Sequence, residues 1–309
     1  MNIEKKYCAF IDVLGYYNIL KSERKIEEKV KIFSDIYLNL FQAISRNIAQ
    51  IHRCRVSNHE LFVKSFSDSI YLESSDPSQI LFTLHHIYNF TLGYNTLMDP
   101  KEKYTPLLRS GVVFDWTTKF MDIGALAKYH PNEIANKPEF QNVIGAGIAE
   151  AYKTSENSQL SGMRIIIKRE VVSNLKLEIY NKVPFECYFF ECKNFLKQEH
   201  FEKTHKPVKL YFLPVNKNER ADDIDLLEMC WPVFSYYWSH NGSDIHDMIS
   251  ALRNMAQNFD TNSYRHFKKT AELLEKALQI TISLDDNQFD SENTLDAFRY
   301  LHRIIESKH

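Results

Sequence analysis

Two aspartates stand where carboxylates commonly do chemistry. Asp12 interrupts the otherwise apolar run Tyr7-Cys8-Ala9-Phe10-Ile11-Asp12-Val13-Leu14, which Gly15 closes. Such a run is the pattern of a strand buried on both faces. A buried carboxylate without a partner is costly, so Asp12 must meet a cation or lie at the edge of the core. Asp68 belongs to Leu61-Phe62-Val63-Lys64-Ser65-Phe66-Ser67-Asp68-Ser69-Ile70-Tyr71-Leu72, two β-prone runs hinged at Ser67-Asp68. The pattern reads as a β-hairpin with Asp68 at its tip, where the side chain either caps its own turn or is presented for chemistry. Two carboxylates on neighbouring strand ends can share one or two divalent metal ions.

Other chemistry-bearing residues are open to more than one reading. Lys64 is an exposed sheet lysine or a ligand contact, and Arg109 either reaches a phosphate or pairs with a core carboxylate. Gly145 and Gly147 allow close approach of the backbone to a neighbour or a ligand, a weak phosphate signal on its own. Cys187 and Cys192 lie five apart in a strand-like run, hence on opposite faces, and read as core residues rather than zinc ligands.

The elements that must position the two aspartates follow from periodicity. Residues 25–49 carry Ile26, Val30, Phe33, Tyr37, Leu40, Phe41, Ile44 and Ile48 at helical spacing, a long amphipathic helix. The hairpin follows, and Asp76-Pro77 then starts a second helix that runs to about residue 95. Residues 107–114 are strand-like, with 117–121 read as pairing back on them, and 129–141 are turn-rich. A helix over about 145–154, then strands at 163–167, 185–190 and 208–213, complete the order β-α-β-β-α-β-(β)-α-β. This is an α+β arrangement, a mostly antiparallel sheet with helices packed on it. Composition changes beyond Pro214, where four helices are expected at 222–240, 243–259, 262–280 and 291–307. The domains read as 1–215 and a C-terminal α-helical appendage, 216–309.

Bulk properties exclude some functions. The chain has 309 residues, 44% apolar and 25% charged, an ordinary globular composition. Its formal net charge of −2 supplies no basic field for a nucleic-acid polymer. Five scattered cysteines suit a reducing compartment. The start of the chain runs straight into the first strand without a signal peptide, and no apolar run approaches the ~20 residues of a membrane span, so a cytoplasmic location is expected.

The pair Phe10-Ile11-Asp12-Val13-Leu14-Gly15 and Lys64-Ser65-Phe66-Ser67-Asp68 resembles the two metal-binding signatures of the class III nucleotidyl cyclases. With Leu108-Arg109-Ser110-Gly111 and Gly145-Ala146-Gly147-Ile148-Ala149-Glu150-Ala151-Tyr152, the chain is most similar to the bacterial pyrimidine cyclases of Pycsar anti-phage defence. The resemblance covers roughly residues 5–155, half the chain. It implies a ferredoxin-like core and two Mg²⁺ or Mn²⁺ ions, bridged by Asp12 and Asp68 and completed by the Val13 carbonyl. It implies base recognition by Lys64 and Asn142; Arg109, by its place in the strand, is the further candidate substrate contact. The family's asparagine and arginine on the next helix fall at Ala149 and Lys153, so the first is lost and the second replaced by lysine. That leaves Lys153, Arg109 and Arg164 as candidates to stabilise the transition state.

The reaction so implied converts UTP or CTP to a 3′,5′-cyclic nucleotide and pyrophosphate, in a head-to-tail homodimer whose product acts on a separate effector protein. His52, Arg53 and Tyr71 are bulky neighbours that would shorten a base pocket, favouring pyrimidines. Lys64 can only donate, which suits the O4 acceptor of uracil better than the amino group of cytosine. Two other classes stay open: a degenerate cyclase fold that binds a nucleotide as a regulatory module, and a metal-dependent phosphodiesterase or nuclease.

Overall fold

The computed structural model describes residues 3–54, 61–66, 68–97, 107–121, 128–130, 141–156, 160–174, 185–192, 205–215, 225–229, 243–258 and 261–283. The expected helix at 291–307, most of the turn-rich stretch at 129–141, and Ser67 at the hairpin tip lie outside them.

Strand β1 (Glu4–Leu14) is the centre of the site-bearing half of the sheet. It pairs antiparallel on one side with β3 (Ser69–Ser74) and on the other with β4 (Leu107–Met121). Strand β2 (Phe62–Phe66) forms the expected hairpin with β3 and lies at the edge. Helix α1 (Tyr16–Lys21) and the long α2 (Ile26–Cys54) join β1 to β2, and α3 (Pro77–Leu97) joins β3 to β4. The order β2-β3-β1-β4 is that of a split β-α-β unit, since a hairpin strand inserts between β1 and the strand that follows its helix.

Alternation along β1 explains its continuous apolarity. Tyr7, Ala9, Ile11 and Val13 enter the main core with Ile36, Leu40 and Ile44 of α2 and Ile80, Leu84, Ile87 and Leu92 of α3. Cys8 and Phe10 point the other way, into a second cluster with Phe62, Tyr71, Val113, Val143 and Ala151. Asp12 shares the parity of Cys8 and Phe10, so its carboxylate belongs to that second face.

The second face is covered by α4 (Ala146–Glu156), which follows β5 (Gln141–Ile144) and leads to β6 (Arg164–Lys168). β6 runs parallel to β4, the one parallel pairing among the described strands. Helix α4 lies directly on β4 because Gly111 leaves room for it: a Cβ there would stand 2.2 Å from the Ala151 carbonyl oxygen and 2.5 Å from the Ser155 nitrogen. Gly145, at φ +146°, turns the chain into α4 beside the Trp116 backbone, and Gly147 packs on Cys8 Sγ and Thr117. This glycine pair therefore answers to protein neighbours.

Two expectations change here. β4 continues through residue 121 instead of folding back, and the distal stretch Thr118–Met121 pairs with β5. Asp115 is the one turn-prone residue between 114 and 117, with no Gly or Asn beside it to take positive φ, and the strand runs on through it. Within the expected helix at 222–240, Leu226–Met229 is strand β9, antiparallel to both β6 and β8 (His205–Pro214), which pairs in turn with β7 (Phe185–Cys192). The described strands thus form one nine-stranded sheet, in which β9 lies past residue 215. The short α5 (Arg169–Ser173) follows β6.

Helices α6 (Ser243–Asn258) and α7 (Thr261–Ser283) stand where helices are expected. Ile249, Leu252 and Ala256 of α6, with Phe267, Ala271 and Leu274 of α7, join the main core. Helix α7 is also tied to the chain before β6: the Gly162 N–H donates to His266 Nδ1 (3.1 Å) and the Met163 N–H to Thr270 Oγ1 (3.0 Å). Burial lowers the His266 pKa, and the nearby positive charge of Arg109 adds to the effect. No described helix is long and apolar enough to cross a membrane.

Candidate active site

Three cross-strand neighbours meet at the end of β1, where Asp12 stands opposite Ser69 on β3 and opposite Arg109 on β4. Directly opposed residues share a face, so the three side chains leave the sheet together. Asp68 is the turn residue just before Ser69, and its carbonyl accepts the Val13 N–H at 3.2 Å. This bond ties the hairpin tip to the last residues of β1. The Ser69 hydroxyl makes a longer contact, 3.4 Å, to Asp68 Oδ1.

Asp12 feels charges of both signs from its neighbours. Arg109 Nη2 donates to Asp12 Oδ2 at 3.2 Å, and the two side chains are 14% and 20% exposed. Yet the Asp12 pKa is raised: burial is the largest cause, the Arg109 guanidinium opposes it, and the negative charge of Asp68 pushes it up further. One arginine does not neutralise this pair. A small divalent cation fits such a donor set, because Mg²⁺ is held by one or two carboxylates and completes its shell with water and substrate phosphates. Among the described residues no group of three or more His, Cys, Asp and Glu is placed to hold a metal ion.

The other expected residues are placed as follows. Lys64 lies opposite Tyr71, which lies opposite Phe10, so it stands on the Asp12 face, two strands across and two residues along. With strands about 4.8 Å apart and a rise of about 3.4 Å, the Cα atoms of Lys64 and Asp12 are roughly 12 Å apart. Lys64 is half-buried, with no ion pair or hydrogen bond among the described residues. Asn142 pairs with Phe120, at the far end of β4 from Arg109. Eleven positions of strand put about 36 Å between those ends, so Asn142 and Asp12 of one chain are not one site. Val13 is buried in the core, with its N–H spent on Asp68.

Of the three cations proposed for the transition state, Arg109 alone contacts the carboxylate pair. Lys153 is 61% exposed and paired to Glu150 at 2.9 Å. Glu150 also takes Lys168 at 3.3 Å, and the bond from Lys153 leads the lowering of its pKa. Arg164, on β6, is the cross-strand neighbour of Arg109, but its Nη1 donates to Glu228 at 2.8 Å and its Nε to the Ser161 carbonyl at 2.9 Å. Tyr71, expected beside the base, is fully buried, its hydroxyl donating to Cys8 Sγ (3.1 Å) and Glu73 Oε2 (3.0 Å). The side chains of His52 and Arg53 lie outside the described residues.

Three residues of the site escaped the sequence reading. Tyr152 on α4 sets its ring edge-on to Phe10, 5.2 Å between centroids, and its pKa is raised chiefly by a hydrogen bond to Glu156. The charge of Glu156 is felt at Asp12. The signal was their i, i+4 spacing beside the small sheet-facing residues Ala151, Thr154 and Ser155. Tyr88 of α3 is fully buried, its hydroxyl 2.7 Å from Ser110 Oγ and donating to the Arg164 carbonyl at 2.8 Å. It thereby braces β4 and β6 beside Arg109.

No protein-family model matches the chain, and no curated protein matches it in sequence. Among solved structures it is similar to the adenylyl cyclase CyaB from P. aeruginosa, with 11% identity over 74% of this chain and 96% of that one, TM-score 0.42. It is likewise similar to the guanylyl cyclase Cya2, with 11% identity over 72% and 98% of the two chains, TM-score 0.40. A bacterial light-regulated adenylyl cyclase matches at 11% identity over 72% of this chain and 55% of its own, TM-score 0.44. At this level these are likenesses of chain path and say nothing of individual residues.

Proposed function

We propose that the chain is a class III nucleotide cyclase that converts a pyrimidine nucleoside triphosphate, UTP in preference to CTP, to its 3′,5′-cyclic nucleotide and pyrophosphate. The observation that carries the reading is the carboxylate pair: Asp12 raised by burial and by Asp68, with the hairpin tip bonded to Val13. In this reaction the ribose 3′-oxygen forms a bond to the α-phosphorus, the bond from that phosphorus to the bridging oxygen breaks to release pyrophosphate, and the hydroxyl proton passes to solvent. Mg²⁺ or Mn²⁺ held by Asp12, Asp68 and the Val13 carbonyl supplies the acidification of the hydroxyl and the neutralisation of the leaving pyrophosphate. Arg109, beside the pair, is the cation placed to meet the triphosphate. Lys64, without a described partner on the same face, is the donor left for a base carbonyl.

The separation of Asn142 from Asp12 supports a homodimer, in which Asn142 of a second copy reaches the site. A two-fold interface makes both sites equivalent. The biological setting we propose is Pycsar-type anti-phage signalling inside the cell, with the cyclic nucleotide acting on a separate effector. The guanidinium on Asp12, with Ala149 where the family has asparagine, favours as second reading a nucleotide-binding module without turnover.

Purified chain incubated with all four ribonucleoside triphosphates and Mn²⁺, followed by chromatography, separates these. Cyclic UMP is expected, and its loss in Asp12→Asn and Asp68→Asn. Cyclic AMP or cyclic GMP as main product overturns the pyrimidine assignment, and nucleotide binding without metal-dependent turnover selects the second reading. Mixing Asp12→Ala with Asn142→Ala chains tests the shared site: about a quarter of wild-type sites return if Asn142 of one copy serves Asp12 of the other, by chain statistics.

A further inference from the structure

The cation that meets Asp12 in the folded chain is one of its own. Asp12 and Arg109 are opposed on paired antiparallel strands, so the 3.2 Å contact is built into the register of β1 on β4. Arg109 is 14% exposed, and its Nε is buried without a hydrogen-bond partner among the described residues. Asp12 is its one ion-pair partner among them. On the opposite side, β6 carries Arg164, already bound to Glu228, so the neighbouring strand brings Arg109 no second carboxylate.

Resting on the cyclase reading, we infer that Arg109 is an internal counter-ion that competes with the divalent cation for Asp12 and holds the metal-free site closed. A guanidinium N–H and a metal ion use the same carboxylate lone pairs, and their positive charges repel. The ion takes full hold of Asp12 only as the guanidinium leaves Oδ2. A buried guanidinium leaves at low cost only for another anion, and the triphosphate is the anion this site would receive. Metal alone therefore binds poorly, and the chain does not sit idle with a loaded metal pair.

The test is Mn²⁺ binding to the purified full chain without nucleotide, read from the electron paramagnetic resonance of the free ion. Arg109→Met removes the charge and keeps most of the stem. It is expected to bind Mn²⁺ at least tenfold more tightly than wild type, and the gain should vanish when Asp12→Asn is added. Equal affinity in wild type and Arg109→Met overturns the competition and leaves the cyclase reading standing. If neither chain binds Mn²⁺, or if binding survives Asp12→Asn, the metal role of Asp12 falls and the competition with it. Should Arg109→Met fail to fold by circular dichroism, Arg109→Lys carries the comparison. It lacks the planar fork, so an intermediate affinity is expected and an unchanged one counts against competition.

Discussion

Replacing Asp68 by Asn separates the two things a hairpin-tip aspartate can do. The Asp68 carbonyl bond to the Val13 N–H is a backbone contact, and Asn keeps an Oδ1 for the Ser69 hydroxyl. The only loss is one negative charge, which now raises the Asp12 pKa. Metal-free stability should therefore change by no more than about 0.5 kcal/mol, towards greater stability. The metal response should change far more. A cation present at a hundred times its Kd adds about 2.7 kcal/mol to the wild type, about 5 °C of Tm at roughly 2 °C per kcal/mol for a chain of this size. If loss of one of two carboxylates weakens binding about a hundredfold, the same Mn²⁺ concentration adds about 0.4 kcal/mol, under about 1 °C. Differential scanning calorimetry with and without Mn²⁺ reads both quantities. A full 5 °C response in Asp68→Asn removes Asp68 from the metal site. A metal-free loss above about 2 kcal/mol would show instead that its side chain holds the turn together.

Three further outcomes follow from the same geometry. Gly111→Ala places a methyl 2.2 Å from the Ala151 carbonyl, so α4 must retreat by about 1 Å, at a cost of about 3 kcal/mol; denaturant titration with an unchanged midpoint refutes the contact. A chain ending at residue 215 loses β9 and the six core residues of α6 and α7, and should aggregate or give no cooperative melt; a folded, active product would support the boundary expected from composition. Because the raised Asp12 pKa means a carboxylate harder to ionise folded than unfolded, its contribution to metal-free stability is present below the unfolded value, about 3.9, and is lost as pH rises through the folded one. Metal binding needs the ionised form, so the Mn²⁺-induced Tm gain should grow with pH around a midpoint above 3.9; a midpoint at the ordinary value contradicts the shift.

What the sequence disclosed, it disclosed through local rules. β1 and the β2–β3 hairpin follow from an apolar run and two β-prone runs, and α2 and α3 from periodicity and the Asp76-Pro77 cap. What it hid depends on distant partners. Leu226-Leu227-Glu228-Met229 is made of good helix formers, and only the edges offered by β6 and β8 make it a strand. β5 is four residues long, too short for any alternation to register. The aspartates were legible because a charge inside an apolar run has few explanations. The two readings of Arg109 differed by which carboxylate lay 97 residues away, and that distance in sequence closes only in the folded sheet. Lys153 matched by position alone, and its helix face points it to Glu150.

The bond from the Val13 N–H to the Asp68 carbonyl bears on how such an enzyme would be turned on. It fastens the hairpin tip to the strand that carries Asp12, and the β1–β3 ladder from Tyr7 to Asp12 continues the attachment along the whole seam. The two carboxylates then travel as a single rigid piece, with no hinge between them to open or shut. In the dimeric reading, an activating signal has little to gain by remodelling either half. On that reading its leverage would lie in the angle at which one copy meets the other, and a few degrees there would carry the second copy's Asn142 into or out of reach while each half stays unchanged.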